Sequence, residues 1–188
     1  MDIILWAIVI FGYLLFFFII IKTYVFAFSM FNDVPYVASN SKIAFEALKL
    51  LNLKKEDRFV DIGSGDGKVV MLASRLYDLK SYEGIEFSTA LSIYSNICKF
   101  FSKRRSKIQF HNTDAFMYNY SHCNKVFLYM TTDTTNRILQ KIENEIPKGS
   151  IVVSAVFKMG DFMKNHEVDV KEVLIGNKKI NIYIWEKK

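Results

Sequence analysis

The sequence predicts an α/β fold: a mostly parallel sheet of seven strands, helices on both faces, a C-terminal antiparallel hairpin, and one apolar helix ahead of it all. Three observations predict it. Short strand-like runs alternate with helical periodicity from Arg58 to Phe157, the pattern of a parallel sheet covered on both sides. The first of these strands runs into Asp61-Ile62-Gly63-Ser64-Gly65-Asp66-Gly67, a glycine-rich strand-to-helix turn. The last two runs, Val168 to Leu174 and Lys179 to Trp185, meet across Gly176-Asn177, which reads as a hairpin.

The elements follow in order. Ile3 to Ile21 is a run of 19 residues without a charge. As a helix it is about 28 Å long, close to the roughly 30 Å hydrocarbon core of a bilayer. Between Val37 and Leu53, Ile43, Ala44, Ala47, Leu48, Leu50 and Leu51 recur at helical spacing, and Ser39, Asn40 or Ser41 is placed to cap the start. Strands are expected at Arg58 to Ile62, Ser81 to Glu86, Ile108 to Asn112, Lys125 to Met130 and Ser150 to Phe157. Helices are expected from Gly67 to Leu79, from a Ser88 cap to about Lys103, and from Thr134 to Glu145, where Pro147-Lys148-Gly149 closes the last. No repeat or low-complexity segment interrupts the pattern. The domain organisation expected is an anchor over 1–22, a juxtamembrane linker over 23–33 and a catalytic domain over 34–188.

The glycine turn carries the chemistry. A turn without Cβ atoms lets backbone approach a ligand closely. The dinucleotide pattern Gly-x-Gly-x-x-Gly requires glycine at 68, where this chain has Lys68, and its third glycine is Gly67. No Gly-Lys-Ser/Thr follows, so the phosphate loop of nucleotide hydrolases is disfavoured. Asp61 ahead of the first glycine suits a ligand carrying an ammonium group. Glu86, 19 residues beyond Gly67, ends the second strand and can accept two ribose hydroxyls, because a carboxylate is acceptor-only. S-adenosylmethionine has both groups. The set Asp61, Gly63, Ser64, Gly65, Gly67 and Glu86 is therefore expected to bind it in a Rossmann-like methyltransferase. Asp114, after the third strand, is placed for the adenine amino group or to cap its own loop.

Composition narrows the rest. The chain has 188 residues and a formal net charge of +6. Every Lys and Arg lies at or after Lys22, and the N-terminus is Met1-Asp2. The positive-inside rule then puts the catalytic domain in the cytoplasm behind an uncleaved anchor. A signal peptide is the alternative, with Ala27-Phe28-Ser29 as its cleavage site, but it calls for a positive n-region. Tyr24, Phe26, Phe28 and Phe31 are positioned as an interfacial aromatic belt. Lys99, Lys103, Arg104, Arg105 and Lys107 fall within nine residues, and three readings stand: a solvated helix terminus, contact with anionic lipid, or contact with nucleic acid. Cys98 and Cys123 have no metal-ligand spacing, and His111, His122 and His166 are scattered along the chain, so no metal is expected.

The exit of the fourth strand bears on the methyl acceptor. Leu128-Tyr129-Met130-Thr131-Thr132 has no proline and no carboxylate, unlike the Asp/Asn-Pro-Pro-aromatic segment of enzymes that methylate exocyclic base amines. Nucleic acid is therefore disfavoured. Asp33-Val34-Pro35-Tyr36-Val37-Ala38-Ser39, the glycine turn, Val126-Phe127-Leu128-Tyr129 and Gly149 to Ser154 together resemble the lysine methyltransferases related to the mitochondrial ATP synthase c-subunit and adenine nucleotide translocase enzymes and their prokaryotic relatives. The resemblance covers about residues 33 to 186. It departs at Ala38, where the family usually has a second proline. It implies Nε-methylation of a protein lysine, with Pro35 and Tyr36 near the acceptor channel; on chemical grounds Tyr36 and Tyr129 are expected to orient the amine and to meet a methylated ammonium by cation–π attraction. Methylation of a lipid or small membrane-associated molecule, and of RNA, stand as alternatives.

Overall fold

The computed structural model describes residues 2–31 and 41–188, with side chains given over 3–23 and 41–188. Pro35 and Tyr36, the rest of the segment 33–39 and the capping position Asn40 lie outside the described residues, as do the side chains of Tyr24, Phe26, Phe28 and Phe31. The chain divides into two compact units, Met1–Tyr36 and Val37–Lys188.

In the first unit, helix α1 spans Asp2–Phe31. It continues as helix for nine residues past Lys22, through most of the stretch expected to be a linker. Ile3–Thr23 is long and apolar enough to cross a membrane, and none of it is buried. Its apolar residues face all directions, so no polar side exists to lie against water.

The second unit holds the sheet. Helix α2 is Ser41–Leu50, strand β1 Arg58–Ile62, α3 Lys68–Leu76, β2 Ser81–Glu86, α4 Thr89–Phe100, β3 Ile108–Asn112, β4 Lys125–Leu128, α5 Thr132–Glu145, β5 Ile151–Ala155, α6 Phe162–Asn165, β6 Val168–Ile175 and β7 Lys178–Glu186. The strand order is β3-β2-β1-β4-β5-β7-β6. β1 to β5 pair in parallel, and β7 runs antiparallel to both β5 and β6. This is the expected architecture. The short α6 and the aromatic segment between β3 and β4 carried no clear periodic signal.

Alternation along β1 and β2 divides the core in two. Phe59 and Tyr82 join Ile43, Ala47, Leu48, Val70 and Ala73 of α2 and α3 on one face. Val60, Ile62 and Ile85 join Ile138, Leu139 and Ile142 of α5 on the other. Each fully buried Ile or Leu contributes about 1.5–3 kcal/mol relative to exposure. The expected helix after Ser88 stops at Phe100, earlier than Lys103. Ser88 caps its start by accepting from the Leu91 N–H, and a 3-10 turn over Arg105–Lys107 leads into β3.

Candidate functional site

The carboxyl ends of β1, β2 and β4 flank the point where the strand order reverses, the usual ligand crevice of an open α/β sheet. There the chain turns sharply. The Gly63 and Ser64 N–H groups both donate to the Ile85 carbonyl at 2.9 Å, and Gly63, Gly65 and Gly67 all have positive φ, at 76°, 55° and 76°. A side chain at any of them would be strained.

The three glycines differ in what else constrains them. A Cβ at Gly63 would lie 3.3 Å from the Met130 Sδ, so Met130 closes over the turn from the β4 exit. A Cβ at Gly67 would lie 2.6 Å from the Phe110 ring and 2.8 Å from Ser95, and one at Gly84 would meet the same ring at 2.5 Å. Gly67 and Gly84 thus make room for Phe110 of β3 beneath the start of α3. Gly67 serves packing on this evidence, beside any part in binding.

Three carboxylates gather around the turn. Asp61 is 2% exposed, and among the described residues nothing donates a hydrogen bond to it. Burial pushes its carboxyl well above the usual range, and the neighbouring Glu86 and Asp66 push it the same way. Glu86 is also raised by burial, against the backbone donors that hold it. Its Oε2 accepts from the Gly65 N–H and its Oε1 from the Ser88 N–H, both at 2.8 Å. Glu86 therefore ties the glycine turn to the start of α4 and keeps a lone pair on each oxygen. The Ser64 hydroxyl is buried without a hydrogen-bond partner. A buried hydroxyl and a buried carboxylate with no hydrogen-bond donor among the described residues are each costly. A ligand that brings an ammonium and hydroxyl donors answers both.

Two sequence-assigned residues sit differently. Asp114 is exposed, and its Oδ1 accepts from the Phe116 N–H at 2.8 Å, so it caps its own loop. Tyr129 is half-buried beside β5, its ring edge-on to Phe157 at 5.5 Å. Burial raises its phenol, which keeps the hydroxyl protonated. Phe157 follows Val156, whose φ of 72° is rare for a β-branched residue. The Phe157 N–H donates to the Ala155 carbonyl at 2.9 Å, closing a three-residue turn whose strain is about 1–3 kcal/mol. Sequence reasoning did not single out Val156 or Asn112. The Asn112 amide donates to the Glu86 and Phe87 carbonyls at 3.1 and 2.9 Å and so fixes the end of β2. An asparagine closing the adjacent strand was its only sequence signal.

The histidines are less scattered in space than in sequence. On the opposite face of β2, Glu83 is buried and accepts from the Tyr118 hydroxyl at 2.7 Å, with His122 Nε2 at 3.0 Å. His111 Nε2 lies 4.0 Å from it, as does the Cys123 thiol. Burial alone raises a carboxyl, but the Tyr118 and His122 hydrogen bonds outweigh it and hold Glu83 below its usual value. Its hydrogen bonds are satisfied within this network.

Residues 61–166 match the model of the ANTKMT methyltransferase domain. The chain belongs to this family. It is an S-adenosylmethionine-dependent methyltransferase, and the matched segment runs from Asp61 through α6. A protein-lysine N-methyltransferase of Saccharolobus islandicus (strain REY15A) is 25% identical over 154 residues, 81% of this chain and 92% of that relative. The adenine nucleotide translocase lysine N-methyltransferase of Mus musculus is 26% identical over 127 residues, 68% of this chain and 55% of that relative's length. In fold, the ANTKMT domain is similar to an RNA methyltransferase from Salinibacter ruber solved with S-adenosyl-L-homocysteine. The TM-score is 0.72 at 23% identity, over 80% of this chain and 94% of the other.

Proposed function

We propose that this chain is a membrane-anchored protein-lysine N-methyltransferase. Residues 1–22 are its anchor, 23–33 its juxtamembrane segment and 34–188 its catalytic domain, on the cytoplasmic side. The observation that carries the lysine reading is the agreement of two lysine N-methyltransferase relatives with a β4 exit that offers a neutral phenol, Tyr129, and no carboxylate. The anchor reading rests on the uncharged run from Ile3 to Ile21 and on the basic residues that begin at Lys22.

The residue roles follow from the site. Asp61 receives the ammonium of the cofactor, whose positive charge offsets the burial of the carboxylate. Glu86 accepts the ribose hydroxyls on its two remaining lone pairs while keeping the Gly65 and Ser88 amides. Gly63, Ser64 and Gly65 give the close backbone approach, Gly67 holds the turn open above Phe110, and Asp114 meets the adenine amino group with its second oxygen. Bound S-adenosylmethionine supplies a methyl group activated on a positively charged sulfur. A lysine amine attacks only when neutral, and its reference pKa is about 10.4. A half-buried pocket disfavours its charged form, so orientation by the Tyr129 hydroxyl, with Pro35 and Tyr36 on the acceptor side, suffices without a dedicated base.

The test uses the full chain, tritiated cofactor and membranes from cells lacking the gene, separated afterwards into protein, lipid and RNA. Label is expected on protein and, after hydrolysis, on methyl-lysine. Label found only in lipid or RNA overturns the reading. Glu86→Ala should weaken cofactor binding by about 1.5–3 kcal/mol, the range for hydrogen bonds to a charged group, measured by isothermal titration.

A further inference from the structure

Helix α4 turns Leu91, Ser92 and Ser95 inward, yet its outer face is apolar as well. Ile93, Ile97 and Phe100 are each more than half exposed, and Phe101 just beyond is 81% exposed. Their spacing, i, i+4, i+7 and i+8, makes one stripe, which lines a shallow groove with Thr89 and Asn96. The core does not need these side chains, because they lie outside it.

Cations border the stripe, and the structure divides the basic cluster. Arg104 reaches back to the Ser74 carbonyl at 2.5 Å and to Asp78, which Lys107 also pairs with at 2.8 Å. These two fasten the loop to the end of α3. Lys99 lies on the inward face with Ser92 and Ser95, whereas Lys103 and Arg105, past the helix end, have no carboxylate partner among the described residues, and the Arg105 guanidinium lies 5.4 Å from the Phe100 ring centre. From Phe87 to Thr113 the sequence contains no Asp or Glu, in a chain with 19 acidic residues.

We propose that this outer face of α4 docks on an anionic lipid bilayer, with Ile93, Ile97, Phe100 and Phe101 entering the headgroup region and Lys103 and Arg105 meeting lipid phosphates. Large apolar residues flanked by Lys and Arg, without acids, are the composition of helices that lie in a membrane interface. A second copy fits poorly, since pairing this face with itself brings like charges together. The proposal rests on the anchor reading of α1, which keeps the domain at a membrane. Because α4 begins at Ser88, held by the Glu86 carboxylate, docking would keep the mouth of the cofactor crevice near the bilayer surface.

The test reconstitutes the full chain in nanodiscs of phosphatidylcholine alone or with phosphatidylglycerol and follows hydrogen exchange over residues 93–105. Exchange should slow roughly fivefold or more with the anionic lipid. The protection should vanish in the K103E/R105E double variant and in I97S/F101S, with cofactor affinity unchanged in both as the check on folding. Equal exchange in the two lipids, with the chain co-eluting with the discs, overturns the docking and leaves the anchor standing. Failure to co-elute removes the anchor instead, and exchange on anionic vesicles then reads the docking alone, with no protection there overturning it. Protection that grows with protein concentration in lipid-free detergent assigns the face to self-association and also overturns the proposal.

Discussion

Asp61 sets binding against stability within one side chain. Its folded-state pKa lies above the unfolded value because burial, Glu86 and Asp66 all disfavour the charge. A carboxyl raised on folding holds its proton more tightly in the folded state. Its contribution to stability is therefore greatest at low pH and declines as pH rises through the unfolded value toward the folded one. Asp61→Asn removes the buried charge and should stabilise the cofactor-free protein at pH 7 by about 1–3 kcal/mol, read as a higher Tm, while cofactor binding falls below detection by titration. A lower Tm in this variant would mean that the carboxylate is satisfied in solution. The place of Asp61 could be read from Asp-x-Gly-x-Gly-x-Gly, because the turn is local. The strained Val156 could not. Nothing in Ser154-Ala155-Val156-Phe157 forecasts a positive φ at valine, which depends on how β5 meets β7 and where Phe157 must sit against Tyr129.

At the scale of elements, the helix-opening turn is fitted to its neighbouring strand. Gly67, at the N-terminus of α3, leaves the volume that Phe110 of β3 fills. Gly67→Ala meets both a left-handed φ and the ring, and should cost about 2–4 kcal/mol through strain and overpacking combined. Phe110→Ala empties a core position at a cost of about 3–5 kcal/mol. In the double variant the clash is gone, so urea unfolding should show a favourable coupling of about 1 kcal/mol or more. Additive losses would mean that the turn relaxes independently of β3. Strand and helix positions were legible because periodicity is a property of each segment alone. The pairing of Gly67 with Phe110, 43 residues apart, is a property of the packed sheet. The basic cluster was legible as a patch of charge, but its division depends on where Asp78 lies, which pairs with Arg104 and Lys107 and, among the described residues, leaves Lys99, Lys103 and Arg105 without a carboxylate.

Across the whole molecule, acid stability follows from the Glu83 network, which joins β2 to β3 and to the 118–123 segment. Burial holds His111 below its usual value, so the unfolded chain takes up that proton first and stability should begin to fall below about pH 6.5. Glu83 is lowered on folding. Its contribution is complete above about pH 4.5 and is lost as pH falls through the folded value. Denaturant midpoints from pH 8 to pH 3 should therefore decline in two stages, and Glu83→Gln should flatten the lower one while deepening the upper, because the Glu83 charge opposes the burial that lowers His111. An unchanged lower stage would assign it to other carboxyls. None of this network was apparent in the sequence, where Glu83, His111, Tyr118, His122 and Cys123 are spread over three segments. Alternation gave only the fact that Glu83 and Glu86 face opposite sides of the sheet.

The strand order also governs when the domain is able to form during synthesis. β7 is the last of the seven strands in chain order, yet it lies between β5 and β6. Until it emerges from the ribosome, β5 has one side unpaired and β6 has no neighbour. The apolar α1 precedes the sheet in the chain and leaves the ribosome long before the sheet has its last interior member. Each newly made copy thus passes through an interval in which its apolar helix is exposed and its catalytic domain is incomplete, with the open edge of β5 available to chaperones or to other nascent chains.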